Sequence, residues 1–221
     1  MNLAQYIDHT ILKPEVTSLQ IVQLCQEAKE NNFYAVCVNS SYVALCAREL
    51  KSSSVKIASV IGFPLGASDT ASKVFETAQA IKNGATEIDM VIHVGALKEK
   101  NFAYVQNDIA EVVKAAAGNK VKVILETSLL SDDEKKIACE LSLKAKAHFV
   151  KTCTGFGGGA ATVSDIELMK SVVGKQMEIK ASGGIKTSEF AIQLIEAGAH
   201  RLGTSSGVAL IANKSATPRS Y

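Results

Sequence analysis

The 221-residue chain has no apolar run of membrane-spanning length. Its longest uncharged stretch of note, "IASVIGFPLGAS", falls well short of the roughly 20 apolar residues that a bilayer crossing needs. The start, "MNLAQYIDHT", has no basic segment followed by an apolar one, so no secretory signal is expected. Neither charge sign dominates. The 24 Lys and Arg against 22 Asp and Glu leave a formal net charge of +2, which speaks against a nucleic-acid or membrane-surface binder. The five cysteines are odd in number and include no C-x-x-C pair, which fits free thiols in a reducing cytoplasm and not a disulfide framework. The four histidines (His9, His93, His148, His200) show neither H-x-H nor H-E-x-x-H spacing, so no metal site is expected. No linker or shift in composition divides the chain.

What is present is a globular composition, 47% hydrophobic and 21% charged, able to bury a sizeable core. Short β-branched runs alternate with helical stretches throughout. Strands are expected at 6–10, 35–39, 56–62, 87–94, 121–127, 148–152, 178–182 and 201–205. Thr17-Ser18-Leu19-Gln20 and Ser131-Asp132-Asp133-Glu134 read as capping boxes that open helices. Ile137, Leu141 and Ala145 repeat every four residues as an apolar stripe. Gly84, Gly118 and Gly198 follow helical runs, where a left-handed C-terminal residue suits glycine. Eight strand–helix units with apolar strands predict a single-domain (β/α)8 TIM barrel over residues 1–213. The rival is an open doubly wound sheet, which usually has five or six strands. Residues 214–221, "KSATPRSY", carry no apolar period and are expected to form a mobile tail.

Active sites of such barrels lie where strands end and the following loops begin. The runs "HFVKT" and "EIKAS" each place a lysine late in a strand, Lys151 and Lys180, and Asp89 sits in the otherwise almost wholly apolar strand "EIDMVIHV". Side chains alternate faces along a strand. If Val150, Ile88 and Met90 face the helices, then Lys151 and Asp89 face the barrel axis, where a buried charge needs a partner. His93 shares the parity of Asp89 and is expected near the barrel mouth, and Cys37 and Cys153 are read as small buried hydrophobes close to it.

Amine attack on a carbonyl needs a neutral lysine. Two amines on adjacent strands roughly 5 Å apart repel by about 3.3 kcal/mol at an effective dielectric of about 20, which pushes one of them toward neutrality. Lys151 is the expected Schiff-base nucleophile because its strand offers no anion, with Lys180 remaining charged and Asp89 moving protons. The glycine and serine runs "SGG" (182–184) and "GTSSG" (203–207) follow strands seven and eight, a common place for a phosphate site. Gly155, Gly183, Gly184, Ser205 and Ser206 are its candidate residues, with Gly155 contributed by the flexible loop "GFGGGAAT". Tyr221 ends the chain with a phenol able to move a proton should the tail fold over the mouth.

These residues, with "IDHTILKP" (7–14), "AVCVN", "VIGFPLG" (60–66), "TEIDMVI" (86–92), "VILET", "FVKTCTGF", "IKASGGIKT" (179–187) and "GTSSGVAL" (203–210), closely resemble the deoxyribose-phosphate aldolase family over nearly the whole chain. The resemblance implies Lys151 as the Schiff-base lysine, Asp89 and Lys180 as the proton-relay pair, and Thr154 beside Gly155 near the phosphate end. It also implies no metal or organic cofactor, and reversible cleavage of 2-deoxy-D-ribose 5-phosphate into glyceraldehyde 3-phosphate and acetaldehyde. Departures from the family pattern are Cys153 for a serine, Ser40 for a proline, His93 for an asparagine, and the spacing of "GGGAAT". The residues alone leave two other readings open, a phosphosugar isomerase or epimerase, and a barrel that only binds a phosphorylated metabolite. Homo-oligomerisation is left open as well.

Overall fold

The computed structural model describes residues 1–212. Among them, eight strands run parallel and close into a barrel in sequence order: β1 Ile7–Thr10, β2 Ala35–Asn39, β3 Lys56–Ile61, β4 Glu87–Val91, β5 Lys120–Ile124, β6 Phe149–Lys151, β7 Glu178–Ser182 and β8 Arg201–Thr204. Closure is made by β1, where His9 lies opposite Val36 of β2 on one side and Thr204 of β8 on the other. Around the strands run α1 Ser18–Glu30, α2 Val43–Glu49, α3 Thr70–Lys82, α4 Val94–Lys98, α5 Phe102–Ala115, α6 Asp132–Lys144, α7 Val163–Val173, α8 Ser188–Glu196 and α9 Gly207–Ile211. No helix among the described residues is long and apolar enough to cross a membrane.

Every strand expected from the sequence is present, several with trimmed ends. β4 and β5 each stop three residues early, β4 at Val91 and not at residue 94, β5 at Ile124 and not at residue 127. Ile92 still donates its N–H to the Ile124 carbonyl (3.0 Å), but His93 then turns out of the sheet to cap α4, its Nδ1 accepting from Ala96 N (3.1 Å). Its ring meets Tyr104 of α5 edge-on, with centroids 5.4 Å apart. His93 therefore caps a helix just past the end of β4, where strand alternation no longer sets the direction of its side chain.

The helix signals hold where they can be seen. Ser131 N donates to Glu134 Oε2 (2.7 Å) while Glu134 N donates to Ser131 Oγ (3.3 Å), so the capping box at α6 is reciprocal. Thr17 N donates to Gln20 Oε1 (2.9 Å) at the start of α1. Gly84, Gly118 and Gly198 sit past helix ends with φ of +109°, +88° and +123°, the left-handed region that favours glycine.

Alternation along the strands sorts the core into two. Ile7, Val36, Val38, Ile88, Met90, Val121, Val123, Val150, Ile179 and Leu202 point outward and pack with the helices in the main apolar cluster. A much smaller cluster of Leu12, Cys37, Ala58 and Val60 fills one side of the interior. The interior also holds buried charged side chains, and these make the site described below.

One further buried ion pair ties the shell to the strand that carries Asp89. Lys73 of α3 donates to Asp108 of α5 (2.6 Å) and to the carbonyl of Val91 (3.1 Å), and Thr70 Oγ1 donates to the other Asp108 oxygen (2.8 Å). Both charged side chains are fully buried. Removing one partner of such a pair leaves an uncompensated charge, at a cost of about 3–5 kcal/mol, whereas removing both is often nearly neutral. Lys73→Met should therefore lose about that much stability in urea unfolding, and Lys73→Met with Asp108→Leu should recover most of it. A single variant that unfolds at the parent's urea midpoint would show that the pair does not hold α3 to α5.

Candidate active site

Among the described residues, the barrel interior holds seven buried charged side chains, none of these residues more than 3% exposed: Asp8 of β1, Glu87 and Asp89 of β4, Lys122 of β5, Lys151 of β6, Lys180 of β7 and Arg201 of β8. Each sits on the inward parity of its strand, because its neighbours in sequence are outward-facing apolar residues such as Ile7, Ile88, Val121 and Val123, Val150, Ile179 and Leu202. Adjacent strands in register then bring them side by side. Asp89 lies opposite Lys122, and Lys180 lies between Lys151 and Arg201.

Six of the seven form a closed ring of alternating sign. Asp8 Oδ2 accepts from Lys180 (2.5 Å), Lys180 reaches Asp89 Oδ2 (2.8 Å), and Asp89 Oδ1 accepts from Lys122 (2.7 Å). Lys122 continues to Glu87 (2.5 Å), Glu87 to Arg201 (3.0 Å), and Arg201 Nε returns to Asp8 Oδ1 (2.7 Å). Arg201 is further fixed by lying over the Tyr34 ring, its Cζ 3.5 Å from the centroid. Lys151 hangs on this ring by a single contact, Nζ to Asp89 Oδ2 at 2.9 Å.

Lys151 does have an anion beside it, contributed by β4, since Asp89 Oδ2 bridges Lys151 and Lys180. Simple repulsion between two lysines is thus an incomplete description. Burial alone would push the Lys180 ammonium toward losing its proton, but Asp8 and Asp89 hold it well above the ordinary lysine range. Lys122 is held above that range too, with Asp89 and Glu87 opposing burial. Burial would raise the Asp89 carboxyl, but Lys122, Lys151 and Lys180 outweigh it and keep the group well below the carboxylate range. Asp8 follows the same pattern, with burial opposed by Arg201, Lys180 and Lys122, and is lowered to about 2.

The mouth is framed unevenly. On the side of β5 and β6, Glu126 is buried at a left-handed φ of +55°, and its Oε2 accepts from Thr154 N (3.2 Å) and from the Thr154 hydroxyl. Its Oε1 is buried without a partner and borders a cavity of about 120 Å³ whose walls include Pro64, Leu65, Leu129, Phe156 and Gly157. The loop after Lys151 leans over this side. A Cβ on Gly157 would lie 2.9 Å from Glu126 Cδ, and one on Gly159 would strike Ser128, so glycine is what lets the loop pass. The loop then crosses to β7, where Ala161 N donates to the Gly183 carbonyl (3.0 Å).

On the side of β7 and β8, Gly183 and Gly184 turn just past Lys180, and Thr204 Oγ1 donates to the Ile185 carbonyl (2.9 Å). That bond ties the glycine turn to the strand that leads into the half-buried Ser205 and Ser206. Gly155 opens the loop that first leans toward β5. A larger cleft of about 440 Å³ runs beside β1 and is bordered by His9, Thr10, Lys13, Gln20, Glu27 and Ser205. Cys37 and Cys153 are buried, as expected. Cys37 Sγ faces Asp89 Oδ2 at 4.0 Å, and burial pushes both thiols above the ordinary range. Tyr221 and the expected tail at 214–221 lie outside the described residues.

Asp89, Lys151 and Lys180 are thus brought together. Asp8, Glu87, Lys122, Arg201 and Glu126 join them without having been singled out in the sequence. The signal for Lys122 was available, since Val121 and Val123 flank it as Ile88 and Met90 flank Asp89.

Comparison with known proteins places this geometry among aldolases. A family model described as "DeoC/LacD family aldolase" matches residues 2–213. The deoxyribose-phosphate aldolase of Bdellovibrio bacteriovorus is 63% identical over 211 residues, 96% of each chain. That of Thermococcus kodakarensis is 58% identical over 213 residues, 95% of each. Among solved structures, a putative deoxyribose-phosphate aldolase from Coccidioides immitis superposes with a TM-score of 0.94 at 43% identity, covering 96% of this chain and 85% of that one. A deoxyribose phosphate aldolase from Aeropyrum pernix, described as a unique tetrameric structure, gives 0.89 at 33% identity over 95% and 89%.

The ring has a consequence in acid. The Asp8 carboxyl is lowered from 3.8 to about 2, so its contribution to stability is fully present above about pH 4 and lost as pH falls through about 2. Urea midpoints should fall steeply across that window, and Asp8→Asn should flatten the fall while lowering the plateau above it. The same slope in both proteins would mean that Asp8 protonation does not drive acid unfolding.

Proposed function

The chain belongs to the DeoC/LacD aldolase family, and from that membership we propose that it reversibly cleaves 2-deoxy-D-ribose 5-phosphate to glyceraldehyde 3-phosphate and acetaldehyde through a Schiff base on Lys151. The observation that carries the choice of lysine is the count of anionic neighbours. Lys122, Lys180 and Arg201 each touch two carboxylates, whereas Lys151 touches one, and shares that oxygen with Lys180. Its proton is the one the cluster can release while every anion keeps two cationic partners.

Neutral Lys151 Nζ adds to the C1 aldehyde of the open-chain sugar, giving a carbinolamine. The carbinolamine oxygen takes a proton and leaves as water, forming the iminium. Asp89 Oδ2, within 2.9 Å of Lys151 and 2.8 Å of Lys180, is placed to pass protons between the two nitrogens. Loss of the proton from the C3 hydroxyl breaks the C2–C3 bond. The electron pair moves into the iminium, releasing glyceraldehyde 3-phosphate and leaving an enamine. Protonation at C2 and hydrolysis by water then return acetaldehyde and free Lys151.

The phosphate fits the β7–β8 side, where N–H groups around Gly183 and Gly184 adjoin Ser205 and Ser206. Thr154, its hydroxyl proton committed to Glu126, supports a role in orienting the sugar near the imine. The tetramer described for the Aeropyrum relative supports a homo-oligomer, and the buried, free cysteines support a cytoplasmic location.

Two experiments test the reading. Acetaldehyde with borohydride should add one reduced two-carbon imine at Lys151, and Lys151→Met should fold and add none. An adduct mapped to Lys180 would reverse the assignment, and no adduct on a protein that still isomerises or binds phosphosugars would favour the rival readings. Ser205→Glu should raise KM for the phosphorylated sugar at least tenfold while leaving KM for unphosphorylated deoxyribose within about twofold, since like charge costs several kcal/mol only where the phosphate sits. Equal losses on both substrates would move the phosphate elsewhere.

A further inference from the structure

The ring has more members than the aldol chemistry uses. Glu87 and Arg201 occupy the first positions of β4 and β8, the ends away from the mouth. They are nonetheless buried and bonded to one another, with Glu87 holding Lys122 and Arg201 holding Asp8. A structural filler at these positions would more cheaply be apolar, since replacing a buried ion pair by well-packed hydrophobic residues is often neutral or stabilising.

The charge count suggests what the pair does. Three anions (Asp8, Glu87, Asp89) alternate with three cations (Lys122, Lys180, Arg201), so the ring alone is neutral. Lys151 is the seventh group and the odd charge. With Lys151 protonated, the water-excluded interior carries one unmatched positive charge. With Lys151 neutral it carries none, and an unmatched charge in such a place is costly. Around Lys151 stand Asp89 from β4 and Lys180 from β7, with Lys122 on β5 reached through Asp89, Cys37 from β2 facing the same carboxylate, and Glu126 beyond Thr154. Arg201 is faced by Asp8, Glu87 and the Tyr34 ring.

We propose that Glu87 and Arg201 are positioning residues that complete the charge balance of the ring, and thereby set the pH at which Lys151 is free to attack a carbonyl. They do so without touching substrate, through Lys122 and Asp8. The inference rests on the aldolase reading and extends it to residues on the far side of the barrel interior.

Balance, unlike packing, has a sign. Glu87→Gln removes an anion and leaves the ring with excess positive charge, which favours the neutral amine. Arg201→Gln removes a cation and favours the protonated one. Each residue is two strands from Lys151, roughly 10 Å at about 4.8 Å per strand, where a unit charge at an effective dielectric of about 20 moves a titration by about one pH unit.

The test is the pH dependence of acetaldehyde trapping by cyanoborohydride, with the adduct mapped to Lys151 in each protein. The midpoint should fall by about one pH unit in Glu87→Gln and rise by about as much in Arg201→Gln. It should return close to the parent value in the double variant, which restores neutrality. Shifts of the same sign in both single variants, or midpoints that stay put while trapping at Lys151 persists, would overturn the proposal. If Arg201→Gln fails to fold, the fall in Glu87→Gln and its reversal in the double variant still decide. No adduct in the parent protein would overturn the aldolase reading itself, and this inference with it.

Discussion

The interior of this barrel is organised by the cost of placing charge where water cannot follow. A single carboxylate, Asp89, meets that cost for three lysines at once, with Oδ1 on Lys122 and Oδ2 shared by Lys151 and Lys180. Everything around it serves to hold those atoms in reach. Register sets Asp89 opposite Lys122 and Lys180 beside Lys151, and the apolar residues between them turn outward to the helices. Lys73, bonded to the carbonyl of Val91, fixes the end of the strand that carries Asp89. The small cluster of Leu12, Cys37, Ala58 and Val60 occupies the β2–β3 side of the interior. The result is a two-sided cavity floor, ionic on one side and apolar on the other.

The mouth repeats that division in its loops. Towards β7 and β8 the lining is glycine and hydroxyl, at Gly183, Gly184, Ser205 and Ser206. Towards β5, Glu126 offers acceptors, one already used by Thr154 and one without a partner. In the proposed reading the phosphate takes the first side, away from the Glu126 carboxylate, and the sugar is thereby directed toward Lys151. The loop that crosses between the two sides does so on glycines packed against Glu126 and Ser128.

Much of this was legible in the sequence, for a physical reason. A β-branched run with turn residues after it has few other places to go, so all eight strands were found. An acid within an apolar strand, Asp89, must be paired, which led to Lys151 and Lys180. The same logic applied to Lys122, flanked by two valines, but attention to strand ends passed it over. Glu87 and Arg201 were harder. Charged residues at strand starts ordinarily reach solvent, and only closure of the barrel shows that these do not. Glu126 was illegible because its left-handed backbone and its orphan oxygen exist only in three dimensions. His93 lies past the end of β4, where two-residue alternation no longer applies. The residues that alternation located, Asp89, Lys151 and Lys180, all lie within the bounds of their strands.

The seam where β1 meets β8 bears on how the chain is made. Asp8 is separated from its partners by 172 residues to Lys180 and 193 to Arg201. On a ribosome adding about 5–20 residues per second, that carboxylate waits roughly 9–35 s for the first of these two cations to be synthesised. A growing chain of six strands therefore cannot seal itself. Its first strand carries an anion that prefers water to the half-built interior, while Lys122 and Lys151 are already balanced against Glu87 and Asp89. Asp8 thus has neither of its two direct cationic partners until β7 and β8 have been made.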